Sequence, residues 1–193
     1  IICFDHDPNI GGRFSIFSLT SLLPLISIGY SLPKIIKSFI KAKNLFEKNH
    51  RDLSKYTSYS NAYEKKFDLN ILVGLSYHDK INAVNEWYRQ IFAESLGKNK
   101  NAKNYISSYG SIDQHSQFQL YIDGPYDKHF NFFKIKNNNQ VVNSNASLIK
   151  GYNLMSTLEN GAIKTLQQKK FLVTQISIAV SYTHLTLPTK FVV

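Results

Sequence analysis

The chain has 193 residues, 43% of them hydrophobic and 19% charged, and this composition is typical of a folded domain and not of a disordered chain. Lysine and arginine outnumber the acidic residues by 23 to 13, but they are spread along the sequence and predict no nucleic-acid surface. A single cysteine, Cys3, excludes an internal disulfide, and the six histidines form no metal-binding pattern. We therefore expect a cytoplasmic protein without a metal or other cofactor.

The first apolar segment, residues 14–32, contains no charged residue and approaches the length that crosses a bilayer. Its serines, Pro24 and Gly29 lower its hydrophobicity, and a central proline disrupts a spanning helix. The segment predicts a buried helix over Phe14 to Leu23 that stops at Pro24, and no membrane partner.

Helical and strand patterns then alternate along the chain. Pro33 suits the first turn of a helix, where its missing N–H has no partner to lose. The run ILVGL at 71–75 predicts a buried strand, and a helix that Asp79 caps runs to Leu96 and ends at Gly97. The apolar face predicted for this helix consists of Ile81, Val84, Trp87, Tyr88 and Ile91.

The second half of the sequence continues the alternation. Residues 118–124 fit either a strand or a short helix, 130–136 predict a strand, and the Asn-rich stretch after it predicts a loop. A helix over 148–168 and a strand over 171–178 follow. Alternating strands and helices predict an α/β fold of stacked layers with a mainly parallel sheet.

The last residues, 180–193, do not continue this pattern. VSYTHLTLPT, at 180–189, is similar to a translated sequencing adapter; the alternative is a genuine strand with a proline turn. We expect 180–193 to be a non-native tail.

Three separated segments stand out in the sequence: IGGRFSIFSLTSLLPL at 10–25, WYRQIFAESLGKN at 87–99 and GSIDQHSQFQLYIDGP at 110–125. Together they resemble bacterial glucose-6-phosphate isomerases. The resemblance implies sugar-isomerase (SIS-type) domains, each a three-layer sandwich with a parallel sheet between helices. It assigns 1–66 to the end of a first domain with its connecting helices, and 67–179 to most of a second.

The resemblance also implies a chemistry, the interconversion of glucose 6-phosphate and fructose 6-phosphate through an enediol. Glu94 matches the base that moves a proton between C2 and C1, a task that suits a carboxylate within reach of both carbons. Arg13 matches the guanidinium that stabilises the enediolate charge, and His115 matches the group that opens the sugar ring. Gln90 and Gly12 match positions that contact the substrate.

Other consequences of the resemblance concern partners and completeness. It implies a sugar phosphate as ligand and a homodimer in which the partner chain supplies the histidine. The Ser/Thr-rich phosphate loops of the family and its QxGVExGK motif do not occur in these 193 residues, so we expect the chain by itself to be inactive. A non-catalytic sugar-phosphate-binding protein is the alternative reading, although a pure binder has no need of Glu94 beside Arg13 and His115.

Overall fold

The computed structural model describes residues 3–98, 100, 102–136 and 146–179. They fall into two units, with the boundary between Asp68 and Leu69. The predicted loop at 137–145 and the predicted tail at 180–193 lie outside the described residues. The assignment of the two parts to two sugar-isomerase domains stays a prediction.

The first unit is helical. A 3₁₀ helix, Gly12–Phe17, is followed by α1, Leu19–Ser27, and by the long helix α2, Leu32–Lys66. Pro33 stands in the first turn of α2, as predicted. Gly29 joins α1 to α2 at φ +95°, a left-handed conformation that glycine adopts without strain.

The prediction of a buried helix over 14–23 is wrong in its bounds and in its burial. The chain makes a 3₁₀ turn first, and α1 then passes through Pro24 to Ser27. Pro24 withholds an N–H from the carbonyl four residues earlier, but Thr20 lies at an exposed position, where water can serve that carbonyl. No residue of either helix is buried; among the described residues of the first unit, α2 is the further element that can cover them.

A membrane span would require a long, continuously apolar helix. Among the helices in the part of the chain that the structure describes, none combines the necessary length and apolar character.

The second unit contains all the strands that the structure describes, and they form one sheet. Helix α3 follows the first strand and ends at Gly97, as predicted. The elements are β1, Ile71–Ser76; α3, Asp79–Leu96; β2, Asn104–Tyr109; α4, Gly110–Ser116; α5, Phe118–Asp123; β3, Lys128–Lys136; α6, Ala146–Gln168; and β4, Leu172–Ala179.

The four strands are parallel throughout and lie in the order β2-β1-β3-β4. β1 is central, with Val73 paired to Ile106 of β2 on one side and to Phe130 of β3 on the other. Parallel strands require crossover connections, and the helices between them supply these.

Helices cover both faces of the sheet. Phe130 and Phe132 of β3 pack with residues of α5 and α6 in one core cluster, whereas Phe133 and Ile135 pack with α3 in another. Alternate residues of a strand point to opposite faces, so one strand serves both clusters. The predicted α/β fold, a three-layer sandwich with a parallel sheet, is therefore confirmed.

Two local predictions need correction, one open choice is settled, and one strand was missed. His78, not Asp79, is the residue that precedes the first turn of α3. Trp87 is 38% exposed and lies off the buried face. Residues 118–123 form helix α5, which settles the choice left open by the pattern. Strand β2 was not predicted, because its polar sequence NYISSY lies at the sheet edge and is only partly buried.

Candidate active site

Two of the predicted site residues meet at the end of α3. Gln90 and Glu94 stand one turn apart on the same side of the helix, and Gln90 Nε2 donates a hydrogen bond of 3.0 Å to Glu94 Oε1. Both side chains are exposed. The amide fixes one carboxylate oxygen and leaves the carboxylate accessible to a molecule in solution.

A buried amide holds α3 against the sheet. Asn85 is fully buried; its Nδ2 donates to the carbonyl of Gly74 at 2.9 Å, and its Oδ1 accepts from the Tyr105 hydroxyl at 2.6 Å. One side chain thus joins α3 to β1 and β2, and burial raises the pKa of Tyr105 far above its ordinary value. The position of Glu94 follows from this attachment, because the helix between Asn85 and Glu94 is continuous.

The contacts of α3 show at which edge of the sheet Glu94 lies. Near its start, Asn82 accepts from Ser76 Oγ at the carboxyl end of β1 (2.6 Å). Near its end, the Phe92 ring lies 5.6 Å from the ring of Tyr105, at the amino end of β2. The helix therefore runs antiparallel to the strands and carries Glu94 to their amino-terminal edge.

His115 lies at the opposite, carboxyl-terminal ends of the strands. Helix α4 begins at Gly110, directly after Tyr109, the last residue of β2. His115 is in the last turn of this short helix and is exposed. A six-residue strand spans roughly 17–20 Å, more than one hexose can bridge. The structure therefore does not bring Glu94 and His115 of one chain together.

Arg13 and Gly12 belong to the first unit, in its 3₁₀ helix. The Arg13 guanidinium lies 4.9 Å from the centre of the Phe14 ring, within cation–π range. A Cβ added at Gly12 would meet no atom within 4 Å. The described chain thus gives no steric reason for glycine at this position, and the space above it is open.

Sequence reasoning missed a partly buried ion pair on the face of the sheet that α6 covers. Lys134 Nζ of β3 lies 3.7 Å from Glu159 Oε2 of α6 and donates to Asn160 Oδ1 at 2.8 Å. Glu159 is 2% exposed, and this burial raises its pKa to about 7 although Lys134 opposes the shift. No sequence signal marks it, since a glutamate inside an amphipathic helix is most often a surface residue.

A metal ion would need several ligating side chains close together. Within residues 3–98, 100, 102–136 and 146–179, no three His, Cys, Asp or Glu side chains are grouped so as to hold an ion.

Comparison with known proteins places these residues in a wider context. No family model matches the chain. A glucose-6-phosphate isomerase of Campylobacter jejuni is 37% identical over 140 residues, which are 70% of this chain and 34% of that protein. A glucose-6-phosphate isomerase of Methanocaldococcus jannaschii is 35% identical over 138 residues, 69% of this chain and 34% of that protein.

The fold has a counterpart among solved structures. A crystal structure of a hypothetical protein from Thermus thermophilus matches 89% of this chain and 45% of its own with a TM-score of 0.68, at 22% identity, which supports the fold alone. The chain spans about a third of the length of the two curated relatives above. The resemblance that the motifs predicted is confirmed: the chain is similar to these two glucose-6-phosphate isomerases over about 70% of its own length.

Proposed function

We propose that this chain contributes to a glucose-6-phosphate isomerase, which interconverts glucose 6-phosphate and fructose 6-phosphate in sugar metabolism. The observation that carries the proposal is the exposed Gln90–Glu94 pair, hydrogen bonded at 3.0 Å within the motif shared with the family. A non-catalytic sugar-phosphate binder would need no carboxylate oriented in this way.

Glu94 acts as the base in this proposal. The proton at C2 of an open-chain aldose becomes weakly acidic beside the C1 carbonyl, and a carboxylate that reaches both carbons can remove it and return it to C1. Gln90 holds one oxygen of Glu94 by its N–H bond. This bond helps to orient the carboxylate for the proton transfer.

In this proposal, Arg13 and Gly12 are the residues that contact the enediolate. The negative charge on its oxygen requires a fixed positive group, and a guanidinium stays charged throughout the reaction. The open space above Gly12 lets the backbone approach a sugar closely, since no Cβ intervenes.

His115 opens the sugar ring, by moving a proton between the ring oxygen and the anomeric hydroxyl. In one chain, Glu94 and His115 lie at opposite ends of the strands. We therefore propose a homodimer in which the exposed His115 of each copy completes the site that contains Glu94 of the other copy. The exposure of both side chains supports this arrangement.

The test is Glu94→Gln in the full-length protein that carries this sequence. A coupled assay should show turnover of glucose 6-phosphate reduced by about 10²–10⁴-fold, while sugar-phosphate affinity changes little. Glu47→Gln, a like change at an exposed position of α2, is the matched control. Unchanged turnover in Glu94→Gln would refute the assigned base and favour the binding protein.

A further inference from the structure

The carboxylate of Asp113 gathers three hydrogen bonds around the helix that carries His115. Its Oδ2 accepts the backbone N–H of Tyr109 at 2.7 Å and the hydroxyl of Ser108 at 2.8 Å. Its Oδ1 accepts the hydroxyl of Ser116 at 3.0 Å. The three partners lie on both sides of Asp113, two at the end of β2 and one at the end of α4.

Helix α4 depends on such contacts because it has only seven residues, and an isolated helix of this length is not stable in water. The residue that precedes it, Tyr109, provides no side-chain cap. Asp113 takes over part of that role, since its carboxylate reaches back to the N–H of Tyr109, as the acid of a capping box does. Hydrogen bonds to a charged acceptor are also stronger than neutral ones.

The first residue of α4 is fixed by packing as well. A Cβ added at Gly110 would lie 2.3 Å from the Tyr77 ring, so the helix begins in direct contact with the segment after β1. Tyr109 is held from the other side by its hydroxyl, which donates to Glu86 Oε1 at 2.9 Å. The base of α4 is therefore fixed, and Asp113 extends this attachment to Ser116, next to His115.

We infer that Asp113 is a positioning residue for His115, holding the last turn of α4 so that the imidazole is presented in one fixed place. The inference rests on the proposed function, in which His115 opens the sugar ring. A positioned proton-transfer group loses much of its effect when it moves by about 1 Å, at a cost of about 10²-fold in rate.

The kinetic test separates ring opening from proton transfer in the full-length protein. Asp113→Ala should lower turnover of cyclic glucose 6-phosphate by about 10- to 100-fold. The second substrate is a four-carbon aldose phosphate, whose esterified O4 prevents ring closure. With this substrate, Asp113→Ala should exchange the C2 proton with deuterium oxide at a rate within about twofold of the wild-type rate, because that step needs Glu94 and no ring opening.

Rescue by the conservative variant distinguishes positioning from general damage. Asp113→Asn keeps an oxygen that can accept from Tyr109 and an amide that can donate to Ser116, so it should recover most of the lost turnover. Asp123→Asn, an exposed aspartate on α5, is the matched control and should behave as wild type. An equal loss on both substrates, or no loss in Asp113→Ala, would overturn the inference.

A second measurement does not depend on activity. Amide hydrogen exchange over residues 110–116 of the chain should quicken by at least about tenfold in Asp113→Ala, and the amides of α3 should keep their wild-type rates. Unchanged exchange in α4 would overturn the positioning role even in an active enzyme. If exchange quickens while wild type and His115→Asn turn over glucose 6-phosphate equally, the role proposed for His115 fails and the hold of Asp113 on α4 stands.

Discussion

The buried carboxylate of Glu159 makes the stability of the second unit depend on pH. Its pKa is raised by burial from an ordinary 4.5 to about 7, so the folded chain holds the proton more tightly than the unfolded chain does. The stabilising contribution is fully present below about pH 4.5 and is lost as the pH rises through 7. Integrated from pH 5 to pH 8, the loss is about 2 to 3 kcal/mol.

Glu159→Gln isolates this effect. The amide does not titrate, and Lys134 keeps its hydrogen bond to Asn160 Oδ1 and a longer one of 3.4 Å to Gln175 Oε1. The difference in unfolding free energy between wild type and variant should therefore shift by about 2 to 3 kcal/mol between pH 5 and pH 8, to the disadvantage of wild type at the higher pH.

Urea unfolding followed by tryptophan fluorescence measures it, because Trp87, the single tryptophan, lies in α3 and reports on the second unit. Asp123→Asn, a half-exposed carboxylate in the same unit, is the control and should leave the pH dependence unchanged. If the wild-type and Glu159→Gln stabilities run parallel from pH 5 to pH 8, the reasoning from burial is wrong.

Two glycine substitutions should have opposite consequences. In Gly74→Ala the new Cβ would lie 1.8 Å from the Tyr105 hydroxyl and 2.4 Å from Asn85 Oδ1, so urea unfolding should show a loss of about 1–3 kcal/mol; a wild-type midpoint would contradict the described packing. Gly12→Ala meets no atom within 4 Å, so in the full-length protein the melting temperature should hold while kcat/KM falls. An unchanged kcat/KM there would remove Gly12 from the proposed site.

The sequence predicted the apolar strands of the fold but not its most polar one. β1, β3 and β4 are predicted by their apolar side chains, because strands that helices cover in a parallel sheet carry many apolar residues. β2 and β4 are both edge strands, but β2 escaped prediction because its sequence, NYISSY, is mostly polar. The helix through Pro24 escaped because a short exposed helix tolerates a proline that a buried one would not.

The candidate site divides in the same way. Helical spacing predicted that Gln90 and Glu94 stand together, and their hydrogen bond confirms it. The separation of Glu94 from His115 depends on strand direction and on the return path of α3, which residue spacing does not contain. The role of Asp113 was not predicted for a similar reason. Its hydrogen-bond partners lie at the end of a strand and at the end of a helix, which come together only on folding.

A mixed dimer tests most directly the claim that Glu94 and His115 serve one site from two copies. Full-length Glu94→Gln and His115→Asn chains, each inactive alone and carrying different affinity tags, are co-expressed and the heterodimer is purified through both tags. One of its two sites then combines an intact Glu94 with an intact His115, and we expect about half the wild-type turnover. A heterodimer as inactive as either parent would contradict the account.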